Sequence, residues 1–359
     1  MNSVQPGAQR APLSVAVGGG KGGVGKSVIA LNLALAMTKL GARVTLVDAD
    51  LGSANLHTML GIDRPGSTLQ ALLDGRVNEL AEVSLRTDYT NLFLVPGSVA
   101  VPGAANLHHG RKQKLIRQIE MLDCDAVVID CGAGIHFNTV DLFTSANMQL
   151  IVASPQLVSL QNAYGFLKAS VYRMLRQHAQ DLGNANLVET ATDQSEVETV
   201  AKLLVAISEH DPRLTKELAE LLDNSNFAII GNQLADAKEY NALAALSRMI
   251  RDFLCVDAPV LGALMRKDKI HAAVSRRIPF ALDNSEPETK LLLAIAQQLL
   301  ASRDSSRTAT PRWSTMPIAS FAPDGSERPP PRARPSGIDF RASVPPESVI
   351  PLASRMRSR

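Results

Sequence analysis

Residues 18–27 read GGGKGGVGKS, set between the apolar run LSVAV (13–17) and a stretch of helical apolar spacing. Gly20, Gly25, Lys26 and Ser27 satisfy the pattern G-x-x-x-x-G-K-[ST]. In that pattern glycines let successive backbone N–H groups turn inward around a polyphosphate without side-chain clashes. The expected cradle runs from Gly20 through Gly22, Gly23, Val24 and Gly25 to Lys26, Ser27 and Val28. A strand before and a helix after place the phosphate on a helix N-terminus, where orphan N–H groups and the helix dipole favour negative charge. Lys26 then neutralises β- and γ-phosphate charge, and the Ser27 hydroxyl completes the shell of a Mg²⁺ that keeps most of its waters. A second cation, Lys21, lies inside the same loop, where it cannot easily share a phosphate with Lys26 of the same subunit.

The 359 residues leave room for one large domain of about 250 to 300 residues plus extensions. Hydrophobic residues make up 45% and charged residues 20%, as in an ordinary soluble globular chain. Cys124, Cys131 and Cys255 have no metal-ligand spacing and point to a reducing compartment rather than a disulfide framework. The opening MNSVQPGAQRAP lacks the apolar core of an export signal, and no run of 18 apolar residues occurs, so the expected location is the cytoplasm. A net charge of +2 does not by itself point to nucleic acid.

Short β-rich runs alternate with helix-length amphipathic segments: LSVAV (13–17), RVTLVD (43–48), NLFLVPG (91–97), AVVIDCG (126–132), MQLIVASP (148–155), NFAIIGN (226–232) and APVLGAL (258–264). Near-continuous apolar runs fit parallel strands covered on both faces. Right-handed crossovers then give an α/β fold, a doubly wound and mostly parallel sheet with ligands at the strand C-terminal ends. The expected organisation is a flexible N-terminus (1–12), a nucleotide-binding domain (13–303) and a Pro/Arg/Ser-rich tail (304–359). The tail buries too little apolar surface to offset its ordering entropy. Between about 177 and 225 the acidic, helix-prone text reads as an inserted helical pair or cap, or as a longer crossover with a solvated face. The segment TKLLLAIAQQLLASR (289–303) has few cations on its polar face and reads as a helix packed on the domain rather than a membrane anchor.

Phosphoryl transfer needs Mg²⁺-side carboxylates and a group that orients the attacking water. Asp48 and Asp50 end a strand in VTLVDAD, and Asp130 ends VVID before the switch-like stretch from Cys131 to Gly134. A lone strand-terminal Asp is often only a helix cap. Three at predicted strand ends beside a phosphate loop make a site.

The loop KGGVGKS, with its extra Lys21, resembles the deviant Walker A loop of the MinD/ParA ATPases. DADLGSANLHTMLGI (48–62) is similar to the matching stretch of that superfamily's FlhG/FleN branch, and AVVIDCGAGI (126–135) resembles its Walker B and switch II. SPQLVSLQNAY (154–164), FAIIGNQ (227–233) and PVLGALMRKDKIHAAVSRRIPF (259–280) are similar too, so the resemblance covers roughly 13–176 and 226–302. It implies a SIMIBI-type P-loop fold with ATP and Mg²⁺ as cofactors. Lys26 and Ser27 would hold phosphate and metal, Lys21 would act in trans across a homodimer, and Asp50 would orient the water. Asp48 and Asp130 would face the Mg²⁺, and Asn232 would offer its amide to the adenine edge. The family's usual Pro-Glu and downstream acidic residue are here Pro155, Gln156 and Asn162, which puts the coupling of nucleotide state to partner binding in doubt.

The resemblance further implies a slow, partner-stimulated ATPase whose ATP-dependent dimer binds an unidentified partner or activator. It would control the placement or number of flagella, a division site or a polar assembly, with recruitment to the inner membrane face or a cell pole. Two readings compete: a ParA-like partition ATPase on nonspecific DNA, and a scaffold that binds nucleotide without hydrolysing it. An iron–sulfur carrier would need cysteine pairs the chain lacks, with Cys131 the lone candidate. GTP is disfavoured because no N-K-x-D motif follows the later strands. His108, His109, Arg111, Lys112 and Lys114 form the densest basic run, read as a solvated helix start, with DNA phosphates as the alternative partner.

Overall fold

A strand covered by helices on both faces has no solvent side, which is why LSVAVG carries no polar alternation: β1 (Leu13–Gly18) is buried at all six positions. The computed structural model describes residues 11–97, 109–193 and 199–304. The expectations for the two chain ends fall almost wholly outside them. The other strands are β2 (Val44–Ala49), β3 (Leu85–Arg86), β4 (Leu92–Val95), β5 (Ala126–Cys131), β6 (Met148–Ala153), β7 (Phe227–Leu234) and β8 (Val260–Met265). They form one sheet in the order β3-β4-β2-β5-β1-β6-β7-β8. Every pairing is parallel except that of the two-residue β3 with β4. The doubly wound sheet expected from the sequence is therefore the observed one, and all seven apolar runs are strands. Edge strand β3 is an addition too short to carry a hydropathy signal.

The helices are α1 (Lys26–Lys39), α2 (Leu56–Met59), α3 (Leu69–Leu73), α4 (His109–Glu120), α5 (Phe137–Ser145), α6 (Leu157–Asp181), α7 (Ala185–Asp193), α8 (Val200–Ser208), α9 (Pro212–Asp223), α10 (Tyr240–Leu254), α11 (Asp268–Ser275) and α12 (Pro287–Asp304). One sheet face is covered by α1 and α12, whose Leu292, Ile295 and Leu299 are buried with Ile29 and Leu33 of α1. The segment 289–303 is thus part of the core. The other face carries α3 to α6 and α10, and α7 to α9 extend it. Leu203, Leu204, Leu214, Leu218 and Leu222 of α8 and α9 join the same buried cluster as Phe166 and Val171 of α6. Among the described residues, the region read as a helical pair or cap holds three helices, because Asp211 caps α9 through the Arg213 and Leu214 N–H groups and splits the acidic stretch after α8.

Strand β1 sits at the reversal of strand order, paired with β5 on one side and β6 on the other. In open α/β sheets the crevice at such a point takes the ligand. The loop 18–27 leaves the sheet there.

One expectation on this face is corrected. Lys112 is not a solvated charge: it is 4% exposed and bonded to Asp141, which also receives both Arg173 Nε (2.6 Å) and Nη2 (3.0 Å). A buried ammonium is costly unless paired, and α4 is turned so that this pair forms. His109, Arg111 and Lys114 are exposed as expected, while His108 lies outside the described residues.

Candidate nucleotide site

The loop after β1 is shaped by left-handed glycines and close approaches. Gly25 has φ +94°, and a Cβ there would lie 2.2 Å from Asn232 Nδ2. A Cβ on Gly20 would lie 2.0 Å from the Asn162 carbonyl oxygen, so the first turns of α6 press directly on the loop. Helix α1 starts at Lys26 with no side-chain cap, leaving its first N–H groups for a ligand. The Lys26 side chain is buried, and its Nζ donates to the Lys21 carbonyl at 3.2 Å. Lys21 is exposed, and Gly22 and Gly23 are exposed beside it.

Three of the expected carboxylates converge on this loop. Asp48 and Asp130 are register partners on β2 and β5. Asp48 Oδ2 accepts the Asn55 and Leu56 N–H groups at 2.9 and 3.0 Å, yet burial outweighs these bonds and pushes its carboxyl up to about 6. Asp130 is raised to about 8, first by burial and then by the Asp48 carboxylate, against the opposing Ser27 hydroxyl and Lys26 ammonium. Its Oδ1 is buried without a hydrogen-bond partner. Asp50, just past β2, accepts the Gly52 and Ser53 N–H groups at 3.2 and 3.0 Å and lies against Gly132 in the switch stretch.

Two buried carboxylates with one unpartnered oxygen, beside a hydroxyl, are hard oxygen donors short of positive charge. That donor set fits Mg²⁺. Among the described residues no group of three or more His, Cys, Asp or Glu side chains encloses a metal by itself. This also suits Mg²⁺, which holds phosphates and waters and needs only one or two protein ligands. Cys131 is 1% exposed and burial drives its thiol far above the usual range, so it presents no thiolate at a surface.

Asn232 stands on the far side of the loop from the carboxylates. Its Nδ2 donates to the Val24 carbonyl at 2.8 Å. Neighbouring Gln233, a residue the sequence reading did not single out, donates through Nε2 to the Gly23 carbonyl at 3.3 Å. Only its position next to Asn232 marked it. Gln156 is exposed at the N-cap of α6 without capping it, and Asn162 meets the loop through its backbone. Four large apolar side chains are exposed just past the ends of β5 and β6, on either side of the loop: Ile135 and Phe137, and Leu157 and Val158.

The ParA family model, described as NUBPL iron-transfer P-loop NTPase, matches residues 12–177. Antiactivator FleN of Pseudomonas aeruginosa is 38% identical over 163 residues, 43% of this chain and 55% of FleN, so the match spans about half of that relative's length. The cell division ATPase MinD of Pyrococcus furiosus superposes with a TM-score of 0.55 at 19% identity, covering 83% of this chain and all of MinD. The septum site-determining protein MinD of Pyrococcus horikoshii, complexed with Mg-ADP, gives 0.55 at 18% identity, covering 80% of this chain and 96% of that one. Likeness in sequence is concentrated where the phosphate loop and the strand-terminal carboxylates lie, and likeness in fold extends over most of the domain. Over residues 12–177 the chain thus matches the ParA family model, and over most of the domain it has the fold of a MinD-like P-loop NTPase.

Proposed function

We propose that this chain is an ATP-driven dimerisation switch. ATP binds in the loop 20–28, two copies join face to face, and slow partner-stimulated hydrolysis separates them. The observation that carries the reading is the convergence of Lys26, Ser27, Asp48 and Asp130 at the strand-order reversal, with an orphaned Asp130 oxygen among them. Bound Mg²⁺ beside Ser27 and Asp130 would supply charge neutralisation on the phosphates. Lys26 holds the β- and γ-phosphates, Asp50 orients the attacking water, and Asn232 meets the adenine edge. The Mg-ADP in the Pyrococcus horikoshii MinD supports this choice of ligand.

Dimerisation is supported by two features of the same face. The Lys21 ammonium is exposed, and among the described residues it has no acidic partner. Ile135, Phe137, Leu157 and Val158 leave apolar surface around the loop that a second copy would cover. The likeness to FleN and MinD supports control over the placement or number of a cellular structure, with recruitment to a membrane face or pole through a partner. Among the described residues no helix is long and apolar enough to cross a membrane.

Sedimentation velocity with Mg-ATP and Mg-ADP tests the reading. Wild type should dimerise with ATP only, Lys21→Ala should stay monomeric yet folded with both, and Asp50→Ala should remain dimeric without releasing phosphate. ATP dimers of Lys21→Ala, or wild-type turnover by Asp50→Ala, would refute it. A ParA-like reading draws on a different observation, the exposed Arg111, Lys114 and Arg117 stripe of α4. It requires salt-dependent binding of nonspecific duplex DNA that is lost when these three become Ala.

A further inference from the structure

Successive side chains of a regular strand point to opposite faces. Asn232 and Gln233, near the end of β7, nevertheless both reach the phosphate loop. Gln233 makes this possible by adopting φ +62°, the left-handed region that residues with a side chain rarely enter. The pairing of β7 with β8 loses its register between Gly231 and Leu234 at the same point. Gln233 is exposed, so packing does not force it into this conformation. A backbone held off its ordinary minima beside a ligand loop is the kind of strain that persists for a functional reason.

The two amides grip consecutive carbonyls, Gly23 and Val24. In a planar trans peptide the N–H points opposite to the carbonyl of the preceding residue. Fixing the Gly23 carbonyl therefore fixes the Val24 N–H, and fixing the Val24 carbonyl fixes the Gly25 N–H. Strand β7 lies on one side of β1, beyond β6, and Asp130 lies on the other, on β5. N–H groups turned away from β7 are thus turned toward the Ser27 and Asp130 side of the loop. Gly23 has φ +82° and Gly25 φ +94°, so these peptides have unusual rotational freedom unless something outside the loop holds them.

We propose that Gln233 is a positioning residue for phosphate binding: with Asn232 it holds the Gly23 and Val24 carbonyls and so presets the Val24 and Gly25 N–H groups for a diphosphate. The inference rests on the nucleotide reading above and adds a residue and a task to it. Asn232 thereby acquires a loop contact besides any contact with the base, whereas Gln233 acts on the loop alone. Preorganised donors gain affinity because less order has to be imposed on binding.

The test uses the full chain and two ligands, Mg-ADP and Mg-pyrophosphate, the second lacking any base. Gln233→Gly removes the amide and also the left-handed strain, so the ligand-free melting temperature should stay level or rise. Affinity for both ligands should fall by one common factor, about three- to tenfold, the size of one net hydrogen bond. Gln233→Met, which keeps the side-chain length without a donor, should lower both affinities likewise. Unchanged affinities in these variants, with wild type binding both ligands, would overturn the clamp and leave the nucleotide reading intact. A loss confined to ADP would also overturn it, since Gln233 would then be reading the base. A wild-type chain that binds neither ligand would overturn both inferences.

Discussion

Asp48 and Asp130 stand side by side as register partners on adjacent parallel strands, neither more than 1% exposed. Burial holds both carboxyls above their ordinary range, at about 6 and about 8, helped by Asp50 beside Asp48 and by Asp48 beside Asp130. Over the window from about pH 4 to pH 8 the folded chain therefore binds more protons than the unfolded one, and stability falls as pH rises. The contribution is fully present below the unfolded carboxyl value and is lost as pH passes the folded values. Denaturant midpoints in a chelator should accordingly drop between pH 5.5 and 8.5. Asp130→Asn should already exceed wild type at pH 5.5, exceed it by a wider margin at pH 8.5, and bind Mg-nucleotide more weakly. A midpoint rising with pH in the chelated wild type would contradict the assignment.

Gly20 and Gly22 lie two residues apart in one loop but carry different demands. A Cβ on Gly20 meets the Asn162 backbone at 2.0 Å, and backbone cannot swing aside as a side-chain tip does. A Cβ on Gly22 meets nothing within 4 Å. Gly20→Ala is expected to cost about 1–3 kcal/mol, the usual cost of overpacking, and to push α6 from the loop. Gly22→Ala should leave the ligand-free melting temperature within about 0.5 kcal/mol equivalent of wild type. Thermal melts of the two variants without nucleotide check the contrast.

How far the molecule can be read from its sequence follows from which signals are local. The seven core strands are legible because burial on both faces writes itself as a near-continuous apolar run, as in AVVI at the start of β5. Asp48 and Asp130 stand out in the sequence because several carboxylates closing such runs beside a phosphate loop are harder to explain as helix caps than one alone. Lys112 is not, since its partner Asp141 sits 29 residues on and α4 taken alone looks like a solvated basic helix. Gln233 is not, because its left-handed backbone and its bond to Gly23, 210 residues away, exist only once the sheet has formed.

Asp141 is the hinge of the buried charge cluster that the sequence hid. Burial works against its ionisation, but the Arg173 and Lys112 partners outweigh it and hold the carboxyl below the usual range. Removing this single acid strands a 4%-exposed ammonium next to a guanidinium. Asp141→Ala should destabilise by about 3–5 kcal/mol, whereas the double change Lys112→Met, Asp141→Leu should recover much of the loss, because it replaces the pair by apolar volume. Urea midpoints of the wild type and the two variants measure the difference, and an additive double mutant would show that the pair is not coupled.

Arg173 ties that cluster to the surface around the loop. Its guanidinium lies 5.0 Å from the centroid of the Phe137 ring while bonding Asp141, so the exposed Phe137 is held in place rather than free to fold inward. With Ile135 beside it, and Leu157 and Val158 at the start of α6, the ring offers apolar area that a lone copy leaves in water. Burying one such side chain on dimerisation is worth about 1.5–3 kcal/mol before ordering costs. Ile135→Ser with Leu157→Ser should therefore weaken ATP-dependent dimerisation by at least tenfold. ADP affinity should hold within about twofold, since neither side chain belongs to the phosphate loop. Sedimentation equilibrium with Mg-ATP, alongside ADP titration of the same sample, separates the two effects. If ADP binding falls as steeply as dimerisation, the four side chains shape the nucleotide loop from within one copy and are not the surface on which two copies meet.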